Sequence, residues 1–232
     1  MTKINISLEE LLEAGAHFGH HSRRWNPKME PYLHGVKDGV HIFDLVKTRE
    51  ALLAALEVLR KASSEGKVIL FVGAKKQAKE KVREVAKNVG QPYVVERWLG
   101  GTLTNFDQIL KSIKNMADMK KKLEEGYYKD YTKKEKLLIK RQIEKDEKVF
   151  GGISEIKKVP DVMVVIDTHR EAGAVKEASK LGIETIGVVD SNSDPYVVDW
   201  PIPMNDDGTR ALELILDLLE KAILAGKKKG KK

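Results

Sequence analysis

An unbroken apolar run, Val68 to Val72, constrains the fold more than any other feature of this sequence. Apolar residues without polar interruption over this length are typical of a parallel strand buried on both faces of a sheet. Similar runs at Val162 to Ile166 and Ile183 to Val189 alternate with segments of helical spacing. Repeated strand–helix–strand units with short links predict an α/β fold: a doubly wound parallel sheet flanked by helices.

Caps and turn residues place the remaining elements of the fold. Ser7 and Glu10 form a capping box that predicts the first helix. Lys37-Asp38-Gly39 predicts the turn of a hairpin within residues 32–43. Residues 17–31 show neither the helical nor the strand period of apolar residues and are expected to form an ordered loop. Gly226 is expected to end the last helix. Further helices are predicted over 44–65, 77–89, 171–181 and 211–225, and further strands over 93–95 and 197–202.

Residues 107–150 interrupt this alternation. Two charged helical runs with narrow apolar stripes lie on either side of Gly126-Tyr127-Tyr128, which predicts an antiparallel helical hairpin projecting from the sheet domain. A projection of this kind is unfavourable unless something outside the domain uses it, so the hairpin is a candidate partner-binding arm. The predicted organisation is a discontinuous α/β domain (1–106 and 149–226), an inserted hairpin (107–148) and a disordered basic tail (227–232).

The net charge of +7 is unevenly distributed along the chain. Residues 51–106 contain 10 Lys and Arg against 5 Asp and Glu, and residues 107–150 contain 13 against 9. Residues 151–226 reverse the balance with 7 against 14, and the last six residues add 5 lysines. Such polarity favours a polyanion as the partner of the basic side. A surface rich in Lys and Glu also serves solubility, or stability at high temperature, so charge alone does not decide the function.

Several classes of function are excluded by what the sequence lacks. The absence of cysteine removes disulfides, thiolate zinc sites and a cysteine nucleophile, and no signal peptide or membrane span is apparent. We therefore expect a soluble cytoplasmic protein. Neither the P-loop nor the dinucleotide fingerprint occurs, so no nucleotide cofactor and no small-molecule substrate are predicted.

Three basic segments are candidates for RNA binding. Trp25 lies between cations, a combination that binds irregular RNA by stacking and phosphate contact, although the indole can equally be buried beneath its loop. Two glycines between Arg97 and Phe106 permit a close approach or a sharp turn. The N–H groups at the following helix start suit a phosphate, or are capped by Thr104 or Asn105. The candidate RNA-binding residues are Arg23, Arg24, Trp25, Lys28, Lys75, Lys76, Lys79, Arg83, Arg97, Lys111 and Lys114.

Histidines and aspartates suggest one alternative. His17 and His20, with Asp190 and Asp206 after predicted strands, can assemble a metal centre at the edge where open α/β sheets bind ligands. Their spacing matches no metal-site pattern, and aspartates after strands commonly form turns and caps. We therefore predict no metal and no catalytic residue, and keep a metal-dependent hydrolase as the alternative.

Several motifs, in order along the chain, resemble one family. They are Ala16-His17-Phe18-Gly19-His20, Trp25-Asn26-Pro27-Lys28-Met29, the segment from Arg97 to Phe106, Pro160-Asp161, the segment from Val188 to Pro195 and the segment from Ile202 to Asp207. These motifs resemble the bacterial small-subunit ribosomal protein two family over nearly the whole chain.

This resemblance implies a flavodoxin-like α/β domain with a helical hairpin insertion and no catalytic activity. It further implies a place on the solvent side of the 30S subunit, contact with 16S ribosomal RNA of the head and the body, and a part in docking ribosomal protein one. The basic helix, the Arg23 and Arg24 loop and the hairpin are then expected to contact RNA, with the acidic residues 151–226 facing away. A free RNA-binding regulator outside the ribosome is the second alternative.

Overall fold

Five parallel strands form the central sheet of the computed structural model, which describes residues 5–230 of the chain. An antiparallel sheet of three strands precedes them in sequence. The strands of the described residues are β1 (Phe18–His21), β2 (Leu33–Lys37), β3 (Val40–Phe43), β4 (Ile69–Val72), β5 (Tyr93–Val94), β6 (Val162–Ile166), β7 (Glu184–Val189) and β8 (Trp200–Pro203). The α-helices are α1 (Leu8–Glu13), α2 (Leu45–Ser64), α3 (Lys79–Asn88), α4 (Phe106–Glu124), α5 (Lys133–Phe150), α6 (Ala172–Leu181) and α7 (Thr209–Gly230).

The parallel strands lie in the order β5–β4–β6–β7–β8. From β4 the chain first adds β5 on one side and then returns past β4 to place β6 on the other. This is the flavodoxin-like order, in which the direction of strand addition reverses beside the first strand. The predicted α/β fold with a doubly wound parallel sheet is confirmed.

Helices cover both faces of the parallel sheet. On one face α2, α3 and α7 contribute Leu52, Val82 and Leu212 to a large buried cluster. On the other face α6 and the first turns of α4 contribute Val175 and Ile109 to a second cluster. Because each face is covered, all four residues of β4 are buried, as its unbroken apolar run requires.

The predicted helical hairpin consists of α4 and α5. Ile109, Ile113 and Met116 of α4 and Ile143 of α5 are the buried apolar residues of this pair, and they lie toward its base. The two helices are also linked by an exposed ion pair of 2.9 Å between Lys120 and Glu147. The first turns of α4 therefore belong to the core of the sheet domain, whereas the outer turns project. The exact bounds of the arm at residues 107 and 148 stay a prediction.

The loop predicted at residues 17–31 is corrected in part. Residues 18–21 form β1, which pairs with β3 in antiparallel register, Phe18 opposite Ile42 and His21 opposite Val40, with an irregularity between the two pairs. Short 3-10 turns follow at Ser22–Arg24 and Pro27–Tyr32. A strand of four residues with an interrupted register leaves no two-residue period in the sequence. The hairpin of β2 and β3 is confirmed.

The last strand also differs slightly from its prediction. Residues Pro195–Val197 form a 3-10 turn, in which the Asp194 side chain accepts a hydrogen bond of 3.0 Å from the backbone N–H of Tyr196. The strand β8 therefore begins only at Trp200. It lies at one edge of the sheet, where Pro201 and Pro203 are tolerated.

The longest helix, α7, overturns two expectations at the C-terminus. It does not end at Gly226 but continues to Gly230, so residues 227–230 of the predicted disordered tail are helical, while residues 231 and 232 lie outside the described part. A side chain at position 226 would collide with the carbonyl group of Arg60 on α2. Gly226 therefore permits close packing of α2 on α7 rather than ending a helix. No helix in the described range 5–230 is both long and apolar enough to span a membrane.

Candidate functional site at the carboxyl edge of the sheet

Polar side chains collect where the parallel strands end. Lys75 follows β4, Asp167 follows β6, Asp190 follows β7 and Asp206 follows β8. Because the carboxyl ends of parallel strands meet at one edge, these residues converge although they are far apart in sequence. Ligands of open α/β sheets bind at this edge, beside the point where the strand order reverses.

Lys75 is the centre of a buried ion-pair network. Its ammonium lies 2.5 Å from Asp206 Oδ1, 2.7 Å from Asp207 Oδ1 and 3.4 Å from Asp167 Oδ2. Burial lowers the pKa of Lys75, but the hydrogen bonds to Asp206 and Asp207 outweigh it, so the pKa lies above its usual range. The side chain is only 9% exposed. The charge of Lys75 is thus already compensated inside the protein, and its contact with RNA stays a prediction.

His20 ties the antiparallel sheet to this edge. Its Nδ1 lies 3.0 Å from Asp190 Oδ1, and its backbone N–H donates a hydrogen bond of 2.7 Å to Ser191 Oγ. The hydrogen bond to Asp190 raises the pKa of His20 and outweighs the effect of burial. A Cβ at position 19 would stand 2.8 Å from Ser191 Oγ, so Gly19 is required for β1 to approach the end of β7.

Asp206 is the least satisfied group of the cluster. Its Oδ1 pairs with Lys75, whereas its Oδ2 is buried and has no hydrogen-bond partner among the described residues. Burial, together with the charges of Asp190 and Asp167, raises the pKa of Asp206 to about 8. A nitrogen of His20 and one carboxylate oxygen each of Asp190 and Asp206 lie within 4.8 Å of one another. Three of the four residues of the metal alternative thus come together, while His17 is not part of the group.

The glycine-rich segment before α4 is held by a carboxylate of the protein itself. Glu177 on α6 accepts hydrogen bonds from the backbone N–H groups of Gly101 (2.8 Å), Leu103 (3.0 Å) and Thr104 (3.1 Å), and from the indole of Trp98 (3.0 Å). These are the N–H groups for which the sequence suggested a phosphate. Neither Thr104 nor Asn105 caps α4: the hydroxyl of Thr104 also bonds Glu177, and the cap position makes no side-chain hydrogen bond.

Burial of its carboxylate raises the pKa of Glu177, but the hydrogen bonds from Thr104, Trp98, Leu103 and Gly101 outweigh burial and leave the pKa below 4.5. Glu177 therefore stays ionised at neutral pH. Sequence reasoning missed this residue because it lies in an acidic segment more than seventy positions from its partners. The only available signal was a run of glycines and N–H groups that required an acceptor.

The contacts of the loop around Trp25 agree better with a structural role of the indole than with RNA binding. Trp25 is half-buried and stacks on His41, with the ring centroids 4.8 Å apart. Lys28 pairs with Asp194 at 2.5 Å. The backbone N–H of Asn26 donates a hydrogen bond of 2.7 Å to the carbonyl of Ser191, which fixes the loop at the carboxyl edge.

The other predicted cations divide into paired and unpaired groups. On α3, Lys79 pairs with Glu96, and Arg83 lies 3.0 Å from Glu80 and 3.8 Å from Glu96. Six candidates are exposed and have no ion pair within the described residues; they are Arg23, Arg24, Lys76, Arg97, Lys111 and Lys114. All six lie on segments that leave the carboxyl edge or on the first turns of α4. This edge thus combines buried aspartates with exposed cations.

These features define an open-sheet α/β protein with a flavodoxin-like strand order, a helical hairpin and an edge where Lys75 and His20 pair with buried aspartates. Residues 11–226 match the family model of ribosomal protein S2. The chain belongs to this ribosomal protein family.

Individual relatives agree with the family match. The chain is 46% identical to small ribosomal subunit protein uS2 of Coprothermobacter proteolyticus over 222 residues, which are 96% of this chain and 83% of the relative. It is 48% identical to the uS2 protein of Rhodospirillum centenum over 221 residues, 95% of this chain and 85% of the relative. The family is one of structural ribosomal proteins of the small subunit, so the resemblance seen in the sequence is confirmed and the protein is not an enzyme.

Proposed function

We propose that this protein binds 16S ribosomal RNA through the carboxyl edge of its sheet and the base of its helical arm, between the head and the body on the solvent side of the 30S subunit. The observation that carries this proposal is the set of exposed cations at that edge: Arg23, Arg24, Lys76, Arg97, Lys111 and Lys114. An exposed cation without an internal partner can neutralise a phosphate, and phosphate contacts position a protein on RNA without reading its sequence.

The aspartates of this edge do not oppose the proposal. Asp190 and Asp206 have side chains only 1% exposed, and Asp167 pairs with Lys75. Their negative charge is thus largely buried, and the more exposed Asp207 beside them pairs with Lys75. That the acidic segment 151–226 as a whole faces away from RNA stays a prediction.

We further propose that the outer half of the arm is a protein-binding surface that helps to dock ribosomal protein one. Tyr127 and Tyr131 at the turn and Leu137 and Leu138 on α5 are exposed. Large apolar side chains on a projecting helical pair suit an amphipathic partner more than bare solvent. This role, like the cytoplasmic location of the protein, rests on the family to which the chain belongs.

Association with the small subunit tests the RNA-binding surface. In a variant with Arg23, Arg24 and Lys76 changed to Glu, we expect sucrose gradients to show less protein sedimenting with 30S particles at moderately raised salt. A matched control changes Lys87, Lys157 and Lys180 to Glu, because these exposed lysines lie toward the opposite end of the sheet and the substitution alters the net charge equally. Equal occupancy of the two variants would contradict the proposed surface.

The same gradient distinguishes a ribosomal component from a free RNA-binding regulator. A component of the subunit sediments with the 30S particle, whereas a free regulator stays near the top of the gradient once salt weakens non-specific contacts. We expect the unmodified protein to sediment with the particle.

A further inference from the structure

A cavity of about 540 Å³ opens at the carboxyl edge beside β4, where the strand order reverses. It lies between the segments that follow β4, β5 and β6, which contribute Ala74, Trp98 and Glu171 to its lining. Neither Lys75 nor any of its three aspartate partners lines it. Open α/β sheets bind ligands at such a reversal, and the volume is that of a small-molecule site.

Glu171 brings an acceptor with spare capacity to this cavity. The residue is only 4% exposed, and its Oε1 accepts a hydrogen bond of 3.2 Å from the backbone N–H of Ala74. Its Oε2 accepts no hydrogen bond from the described residues. Burial raises the pKa of Glu171 and outweighs the hydrogen bond from Ala74. A ligand that donates hydrogen bonds to this carboxylate would therefore stabilise it in its ionised form.

Trp98 supplies an aromatic wall that is already held in position. The residue is half-buried, and its indole N–H donates a hydrogen bond of 3.0 Å to Glu177. Gly173, near the start of α6, faces the ring without a side chain: a Cβ there would stand 3.6 Å from Trp98 Cδ1. Unpaired bases of RNA pack on aromatic side chains of this kind. The cavity thus combines a hydrogen-bond acceptor with a surface for a base.

Two exposed arginines complete the lining. The side chains of Arg97 and Arg170 form no ion pair or hydrogen bond within residues 5–230. The adjacent helix α6 has Glu171 at its N-cap position but no side-chain cap, so its first N–H groups add partial positive charge. A guanidinium binds phosphate through paired hydrogen bonds, and the positive charge here suits the phosphate of a nucleotide.

We propose that this cavity binds one unstacked guanine nucleotide of 16S ribosomal RNA, with Glu171 as the acceptor that selects the base. Trp98 packs against the base, and Arg97 and Arg170 hold its phosphate. This contact presupposes the RNA-binding function proposed above and adds to it a site that reads a base. Guanine fits because its Watson–Crick edge presents two adjacent donors, N1–H and N2–H, to a carboxylate. Adenine and cytosine present one amino group beside an acceptor nitrogen, and uracil presents one N–H between two acceptors.

Titration of the purified full-length chain with GMP tests the cavity in the absence of RNA. The chain contains three tryptophans, Trp25, Trp98 and Trp200, so ¹⁵N spectra resolve the site by its indole N–H signal. We expect millimolar GMP to shift the signal of Trp98, and AMP and UMP to bind at least about tenfold more weakly. No shift of the Trp98 signal, or equal affinities for GMP and AMP, would overturn the proposal.

A variant of the acceptor tests the selection of the base. Glu171→Gln keeps the size of the side chain and an oxygen for the N–H of Ala74, but replaces one acceptor by a donor. The affinity for GMP should fall at least about tenfold, to the level of AMP. Glu213→Gln is the matched control, because Glu213 is exposed on α7 and does not line the cavity. Should Glu171→Gln fail to fold, the comparison of GMP with AMP in the unmodified chain decides the matter.

Chemical probing of assembled 30S particles tests whether the guanine belongs to ribosomal RNA. Kethoxal modifies N1 and N2 of unpaired guanines, the two donors assigned to Glu171. We expect one guanine of 16S RNA to be protected by the parent protein and reactive in particles that contain Glu171→Gln at equal occupancy. Unchanged reactivity of every guanine at equal occupancy would overturn the assignment. The RNA-binding surface is judged separately, by the sedimentation of the Arg23, Arg24 and Lys76 variant.

Discussion

The carboxylate of Glu177 accepts a hydrogen bond of 3.0 Å from the backbone N–H of Leu103, and the same carboxylate binds the N–H groups of Gly101 and Thr104. One side chain on α6 thus organises the segment that leads into the arm. The arrangement resembles the binding of an anion at a nest of N–H groups, with the anion supplied by the protein itself. We therefore expect the position of α4 on the sheet to depend on this contact.

Replacing the carboxylate should destabilise the protein without changing its secondary structure. In Glu177→Gln the charge is lost and the amide NH₂ is forced against backbone donors, so we expect the free energy of unfolding to fall by about 2 to 3 kcal/mol. Urea denaturation followed by circular dichroism measures the change. Glu213→Gln, on α7 and without a hydrogen bond to a distant segment among the described residues, is the control and should differ from the parent by less than about 0.5 kcal/mol.

The contribution of Glu177 to the free energy of unfolding should decrease in acid. Because its pKa is lowered on folding below the usual 4.5, its stabilisation is fully present above that value and is lost as the pH falls through the folded-state pKa. The difference in unfolding free energy between the parent and Glu177→Gln should therefore be constant near neutral pH and shrink in acid. A difference that grows as the pH falls would show that another group dominates.

Gly226 should tolerate no side chain, although it lies within a helix. At an exposed helical position Gly→Ala stabilises by about 1 kcal/mol, but here the new Cβ collides with the backbone of Arg60 on α2. We therefore expect Gly226→Ala to lower the free energy of unfolding by about 1 to 3 kcal/mol. Gly173→Ala on α6 is the matched control, since its new Cβ would meet only Trp98 Cδ1, at an ordinary contact distance of 3.6 Å. A more stable Gly226→Ala would disprove the close approach of α2 and α7.

Salt dependence should report how many of the exposed cations contact phosphate. Each lost contact reduces the slope of log K against log salt by about 0.7 to 0.9, so the Arg23, Arg24 and Lys76 triple variant should lose about 2 to 3 from the slope. Filter binding to 16S RNA over a salt series measures it. The Lys87, Lys157 and Lys180 variant should retain the parental slope.

The sequence was most informative where structure depends on local pattern. The buried strand at Val162 to Ile166 has its signature in its own residues, because both faces are covered and every position must be apolar. The hairpin turn at Asp38 and Gly39 and the capping box of Ser7 are likewise local chemistry. These features were predicted because their causes lie within a few residues of each other.

The candidate site could be predicted only in part, because its partners are distant in sequence. Lys75 looked like one more lysine of a basic segment, and only the convergence of β4, β6 and β8 reveals that it is buried among aspartates. Glu177 had no local signal at all. Gly226 could be interpreted in two ways from the sequence, because a glycine near a helix end can either end the helix or allow close contact with another helix.

The arm can be shortened without loss of the fold if its base is kept. Ile109, Ile113 and Met116 of α4 and Ile143 of α5 are buried, so removal of the whole hairpin would open the core, whereas removal of residues 117–142 spares these contacts. With a short Gly/Ser linker joining residues 116 and 143, we expect cooperative unfolding and a melting temperature within a few degrees of the parent. We expect the shortened protein to enter 30S particles, because the cations of the carboxyl edge remain, but to recruit less ribosomal protein one to them. Normal recruitment by folded particles containing the shortened protein would exclude the outer arm as the docking surface.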